Sequence, residues 1–109
     1  MTDTPDPQPS AARRTFGEFA PTFVDLTDDV LFGQVWARPQ LTAKERSLIT
    51  VASLTATGNT QQLRFHLDFA RRNGASTEEL VETITHLAFY AGWPNAMSAV
   101  TKAKELLKR

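Results

Sequence analysis

The sequence predicts an all-α fold of five to six helices in a single domain, and three observations support this prediction. No stretch alternates apolar and polar residues for long enough to form a β-strand. Two capping boxes, each with Ser or Thr three residues before Glu, precede apolar residues at helical spacing. After Gln40, every glycine follows the expected end of a helix. We therefore expect short helices with short connections around one core.

The capping boxes, the glycines and one proline set the boundaries of four predicted helices. The boxes are Thr42-Ala-Lys-Glu45 and Ser76-Thr-Glu-Glu79. Thr60 can cap the helix that lies between them, and Pro94 suits a first helical turn because its missing N–H would have no partner there. The helices are predicted to run over residues 43–57, 61–72, 77–91 and 94–109.

The first 40 residues contain a predicted tail and two further helices. Residues 1–14 are expected to be disordered, because they hold three prolines, small polar residues and no large apolar residue after Met1. Residues 15–109 then form the predicted helical domain. Its first helices are expected over 16–26 and 28–36, the second capped by Thr27, before a connection at 38–40.

Composition and charge exclude several classes of protein. None of the 109 residues belongs to an apolar run near the roughly 18 residues of a transmembrane helix, and the N-terminus lacks the apolar core of a secretory signal. We therefore expect a cytoplasmic protein without a membrane partner. Twelve basic residues balance twelve acidic ones without a concentrated basic surface, so no nucleic-acid partner is expected. With no cysteine and only two histidines, we expect no disulfide, thiol chemistry or metal site.

His66 is the strongest candidate for acid/base chemistry. It shares an apolar helix stripe with Leu63 and Leu67. Histidine changes its charge near neutral pH and can give or take a proton. The alternative is a core histidine that a backbone carbonyl satisfies. Phe65 and Phe69 form a second apolar side on this helix, which predicts a partner surface.

Arg46 begins a polar stripe on the preceding helix. The stripe continues through Thr50, Ser53 and Thr57, so it is formed by short hydroxyl side chains beside one arginine. Such a stripe could line a polar cavity or could be ordinary helix surface. Arg46 itself could bind a substrate carboxylate through two hydrogen bonds, or it could pair with a nearby acidic group or remain exposed.

Glu82 and His86 are four residues apart on the next helix, so their side chains can meet. They could form an acid/base pair. The alternative is an ion pair on the surface or between subunits, which contributes little when exposed.

The residues together resemble the carboxymuconolactone decarboxylase family. Three separated stretches carry the resemblance in the right order and spacing, and with their surroundings they cover about residues 19–107. They are LFGQVW-x-RP-x-LT-x-x-x-RSLITV from Leu31 to Val51, LRFHL from Leu63 with the later Asn73-Gly74 and Glu78-Glu79 pairs, and E-x-x-x-H-x-A-x-YAGWP from Glu82 to Pro94.

The resemblance implies an all-helical fold that assembles as a homotrimer or homohexamer, which agrees with the surplus apolar sides. It also implies decarboxylation of 4-carboxymuconolactone, or of a related small carboxylated lactone, in aromatic-acid breakdown. No cofactor is expected, because the substrate itself can take up the electron pair. His66 would be the acid/base and Arg46 the carboxylate anchor, while His86 or Tyr90 would donate to the lactone oxygen. The pocket would be completed by Trp93, Glu82 and Trp36.

A sister branch of the family, the alkyl hydroperoxidases, uses a Cys-x-x-Cys pair that would fall at Asn59 and Gln62. Neither residue is a thiol and the chain has no cysteine, so thiol peroxidase activity is excluded. Two alternatives remain beside the decarboxylase: a non-catalytic helical oligomer that binds a small ligand or partner protein, and an enzyme for a different small carboxylated or lactone compound.

Overall fold

The computed structural model describes residues 10–107, and all regular structure in this part of the chain is helical. The all-α prediction is confirmed. The described part of the chain divides into two compact units, an N-terminal one that ends at Gln40 and a C-terminal one that begins at Leu41. A π-helical segment, Leu26–Val35, directly continues the second of six α-helices. These are α1 (Ala11–Phe16), α2 (Pro21–Asp25), α3 (Ala43–Thr57), α4 (Thr60–Arg72), α5 (Thr77–Ala91) and α6 (Trp93–Leu107).

The first described helix of the N-terminal unit is α1, which covers the last four residues of the predicted tail. Residues 1–9 of that prediction lie outside the described residues. The hydroxyl of Ser10 accepts from the Arg13 backbone N–H at 3.0 Å and caps α1. Arg13 in turn contacts Asp25 at 3.0 Å, and this hydrogen-bonded carboxylate raises the arginine pKa. These contacts join α1 to α2.

The helix boundaries in the N-terminal unit differ from those predicted. The single helix expected over 16–26 is interrupted, because α1 ends at Phe16 and α2 begins with Pro21 in its first turn. The helix expected over 28–36 has no separate start, since the backbone continues from α2 into the π-helical segment. Thr27 does not cap it, because its hydroxyl donates back to the Phe23 carbonyl at 2.8 Å.

The C-terminal unit is formed by the four longer helices. Helix α3 packs against α4 and α5, and α6 packs against the same two helices. The predicted apolar stripes meet in its centre. The buried residues of this core are Val51, Leu63, Leu67, Ala70, Ala75, Leu80, Ile84, Ala88, Ala96, Ala99 and Ala103.

Both predicted capping boxes are present. Thr42 accepts from the Glu45 N–H at 3.0 Å and donates its own N–H to the Glu45 carboxylate at 2.8 Å. Ser76 and Glu79 repeat the arrangement at 3.0 and 2.9 Å. The hydrogen bonds from Thr42 lower the pKa of Glu45, because they favour its charged form. Local sequence therefore fixes where α3 and α5 begin.

A turn of two residues separates α3 from α4. Gly58 ends α3 with φ of 73°, a left-handed conformation that glycine adopts at little cost. Asn59 then precedes α4, while Thr60, the predicted cap, is its first helical residue. So short a turn makes α3 and α4 antiparallel neighbours. None of the helices within residues 10–107 is long and apolar enough to cross a membrane.

Candidate active site

His66 lies on α4, half-buried beside two aromatic rings. Its ring meets the ring of Phe65 edge-on at 5.0 Å and that of Phe69 at 6.1 Å between centroids. The Nδ1 atom is enclosed. Burial lowers the pKa of His66 below its ordinary value of 6.5, because the charged imidazolium loses solvation. At neutral pH the side chain is therefore a neutral imidazole, able to accept a proton.

Arg46 lies in the first turns of α3 and is also half-buried, with its Nε atom enclosed. Two hydroxyls of its polar stripe donate to the backbone of their own helix. Thr50 Oγ1 donates to the Arg46 carbonyl at 2.8 Å, and Thr57 Oγ1 donates to the Ser53 carbonyl at 2.9 Å. The oxygens of these hydroxyls can still accept hydrogen bonds. Arg46 is the charged donor of the stripe.

A hydrogen bond between a fully buried serine and a partly buried asparagine joins α3 to α4. Asn73 Nδ2 donates to Ser47 Oγ at 2.9 Å, and Ser47 is fully buried. His66 stands two helical turns before Asn73, on the same side of α4. Arg46 precedes Ser47. We call the side formed by Arg46, Thr50, His66 and Phe69 the α3–α4 face.

The antiparallel register separates the two key residues along this face. Arg46 lies near the level of Asn73, whereas His66 lies two turns further along α3. The helical rise puts about 12 Å between the levels of their backbones. The α3–α4 face therefore carries a half-buried arginine and a neutral imidazole whose backbones lie at different levels.

His86 and Tyr90 lie on the exposed side of α5 rather than on the α3–α4 face. Their rings stack with centroids 4.9 Å apart, and Tyr90 is 78% exposed. The salt bridges found within residues 10–107 do not include the predicted pair of Glu82 and His86. His86 borders a groove of about 390 Å³ between α3 and α5, with Leu48, Ile49, Ala52, Glu82, Thr83 and Leu87.

Trp93 begins α6 and borders a different cavity. Its ring meets Phe89 edge-on at 5.9 Å. The cavity has about 370 Å³, lies between α5 and α6, and is almost wholly apolar; its lining includes Ile84, Ala88, Ala96, Met97 and Val100. Trp36 belongs to the N-terminal unit, where its ring lies 5.7 Å from that of Phe32.

In the C-terminal unit of one chain, the predicted site residues thus lie in three separate places. Arg46 and His66 lie on the neighbouring helices α3 and α4, Glu82 and His86 border the α3–α5 groove, and Trp93 borders the α5–α6 cavity. Within residues 10–107, no three His, Cys, Asp or Glu side chains form a group that could hold a metal ion.

Sequence reasoning missed the Ser47–Asn73 hydrogen bond. The two residues are 26 positions apart, and helical periodicity relates only residues within a few turns of each other. The one available signal was a serine four residues before Val51, on the buried stripe of α3.

Comparison with known proteins agrees with the resemblance described above. Residues 21–105 match the carboxymuconolactone decarboxylase family. The chain is 38% identical over 91 residues to the 4-carboxymuconolactone decarboxylase of Acinetobacter baylyi, covering 84% of this chain and 68% of that protein. It is 33% identical over 76 residues to the nitrosuccinic acid decarboxylase of Metarhizium robertsii, covering 70% of this chain and 53% of that protein.

A further relative from Paracoccus denitrificans, an uncharacterised 15.0 kDa protein, is 30% identical over 95 residues, which cover 85% of this chain and 71% of the relative. The family match takes in α3, α4 and α5 whole and α6 as far as residue 105, and so includes both Arg46 and His66. On this combination of fold, matched residues and relatives, the chain belongs to the carboxymuconolactone decarboxylase family.

Proposed function

We propose that this protein is a cofactor-independent decarboxylase, a carbon–carbon lyase that acts on 4-carboxymuconolactone or a related small carboxylated lactone. The observation that carries the proposal is His66, a half-buried imidazole on α4 that burial keeps neutral, with the half-buried Arg46 on the adjoining helix α3. The relatives support it, because two of them are decarboxylases of small acids. Aromatic-acid breakdown in the cytoplasm is the proposed setting.

The reaction makes three demands on the protein. Loss of CO2 leaves an electron pair that spreads into the unsaturated lactone, so charge must be stabilised where it develops. The carbon that loses CO2 must then gain one proton. A cation of the protein must hold a carboxylate of the substrate. Arg46 is the proposed carboxylate anchor. His66 is the proposed acid/base: the neutral imidazole takes one proton from solvent, passes it to the carbon and so returns to its neutral form.

The proposed roles of His86 and Tyr90 require a second subunit. These residues lie on the exposed side of α5, and His86 borders the α3–α5 groove rather than the α3–α4 face. Donation to the lactone oxygen by either residue therefore needs a homo-oligomer, a trimer or hexamer, in which α5 of one subunit approaches its neighbour. A second subunit is also required for the remaining proposed pocket residues, which are Trp93, Glu82 and Trp36.

A two-substrate assay tests the proposed function. Purified protein is incubated separately with 4-carboxymuconolactone and with nitrosuccinic acid, and CO2 release is measured against a heat-inactivated sample. We expect turnover of the lactone. Turnover of nitrosuccinic acid alone would support the carbon–carbon lyase activity but show that the substrate is different. Release from neither compound would contradict the proposal and favour the non-catalytic binding oligomer.

A further inference from the structure

We infer that Ser47 and Asn73 form a positioning pair, which fixes the location of Arg46 by setting the register of α3 against α4. This inference rests on the proposed function, in which Arg46 anchors a carboxylate. The hydroxyl of Ser47 accepts from Asn73 Nδ2 at 2.9 Å, and the bond joins the beginning of α3 to the end of α4.

The burial of Ser47 is the first step of the argument. Its side chain is fully buried next to an apolar core, at a site where alanine would fit without a polar group to satisfy. A buried hydroxyl is costly unless it is hydrogen-bonded, whereas the apolar contacts around it have no preferred direction. The Ser47–Asn73 hydrogen bond thus has a required geometry, which the apolar contacts of Val51, Leu63 and Leu67 in the same core lack.

The donor of the pair is held as firmly as the acceptor. The backbone N–H of Asn73 donates to the carbonyls of Phe69 at 2.9 Å and Ala70 at 3.1 Å, at the end of α4. The Asn73 side chain therefore projects from a fixed backbone. At the opposite end of α3, Asn95 Nδ2 donates to the Ala56 carbonyl at 3.0 Å and joins α3 to α6. Helix α3 is thereby held near both ends.

The position of Arg46 follows from the position of Ser47, because the two residues are adjacent on α3. A slide of α3 by one residue would move Arg46 by about 1.5 Å and rotate it by about 100°. Misplacement of a binding group by about 1 Å can reduce rates up to a hundredfold. A slide that breaks the Ser47–Asn73 bond would therefore displace the guanidinium from a carboxylate that His66 must also reach.

The matched control is a pair with the same chemistry. Asn59 Nδ2 donates to Thr57 Oγ1 at 2.7 Å, also between an asparagine amide and a hydroxyl, but both residues are exposed. We compare Ser47→Ala with Asn59→Ala, each in the wild-type and in the Arg46→Ala background. Kinetics with 4-carboxymuconolactone are measured well below the unfolding temperature of every variant.

Positioning and plain structural support give different kinetic results. We expect Ser47→Ala to raise KM about tenfold with a smaller change in kcat, and Asn59→Ala to change neither. In the Arg46→Ala background, Ser47→Ala should have no further effect on KM, because its action passes through Arg46. Equal effects of Ser47→Ala in both backgrounds would overturn the inference.

A second readout does not depend on turnover. The Arg46 Nε atom is buried, so its N–H should exchange slowly with solvent and be visible by nitrogen-resolved NMR. We expect Ser47→Ala to shift this resonance and speed its exchange severalfold, and Asn59→Ala to leave it unchanged. An unaltered Arg46 resonance in Ser47→Ala would overturn the inference even if the lactone is not the substrate. A wild-type protein without lactone turnover would refute only the proposed function.

Discussion

At the scale of single residues, the pKa of His66 depends on the aromatic and apolar side chains around it. Phe65 and Phe69 lie within 6.1 Å of its ring, and the apolar neighbours remove the water that would stabilise an imidazolium. The pKa is lowered as a result. The same burial that makes His66 a neutral base at neutral pH makes its protonation costly to the fold.

The pH dependence of stability tests this view of His66. The unfolded chain binds a proton near pH 6.5, while the folded chain binds it only at lower pH. Stability should therefore rise as the pH rises from the lowered pKa to 6.5 and become level above it, as far as His66 is concerned. His66→Gln should remove this part of the rise in urea-unfolding free energy. The exposed His86→Gln serves as control, and identical slopes in both variants would contradict the assignment.

Arg46 should differ from lysine in its function. A guanidinium can bind a carboxylate through two parallel hydrogen bonds, whereas an ammonium is a point charge. We expect Arg46→Lys to raise KM for the lactone about tenfold or more with a smaller effect on kcat, as for lost substrate binding. Arg64→Lys, an exposed arginine on α4, is the matched control. A KM equal to that of wild type would remove Arg46 from the anchor role.

At the scale of helices, local side-chain chemistry decides where the longer helices begin. Each capping box satisfies backbone N–H groups that would otherwise lack partners at a helix start. We expect Thr42→Ala and Ser76→Ala each to lower the unfolding free energy by about 1 kcal/mol. Ser98→Ala, an exposed site inside α6, should not lower it. Equal stability of all three variants in urea melts would refute this account.

The helices of the C-terminal unit could be predicted because their signals are local. Capping boxes, Gly58 and apolar spacing lie within a few residues of the boundaries they set, and α3 and α5 match their predicted limits. The N-terminal unit was harder to predict. A π-helix has no composition of its own, and nothing in residues 26–35 distinguishes it from an α-helix. Thr27 could cap a helix or bond back to Phe23, and sequence alone does not decide between them.

At the scale of the whole molecule, the candidate site depends on packing between distant parts of the chain. Periodicity identified His66 and Arg46 one by one, and the short turn between α3 and α4 makes their helices neighbours. It could not show that His86 and Tyr90 lie elsewhere, because the order of helices around the core is a long-range property. The Ser47–Asn73 hydrogen bond could not be predicted either, because it joins residues that are 26 positions apart.

Self-association is the next prediction at this scale. If α5 of one subunit completes the site of another, the protein should have three or six times the chain mass of 12.1 kDa in solution. Sedimentation equilibrium over a range of concentrations measures this directly. A monomer at every concentration tested would exclude the proposed roles of His86 and Tyr90, while those of Arg46 and His66 would stand.

The measurement that tests the central claim most directly is CO2 release from 4-carboxymuconolactone by wild type and His66→Ala, with Asn59→Ala as the folded control. The account predicts turnover by wild type and Asn59→Ala, and a loss in His66→Ala of about a hundredfold or more, as for removal of a general acid or base. Activity of His66→Ala at the wild-type level would contradict it.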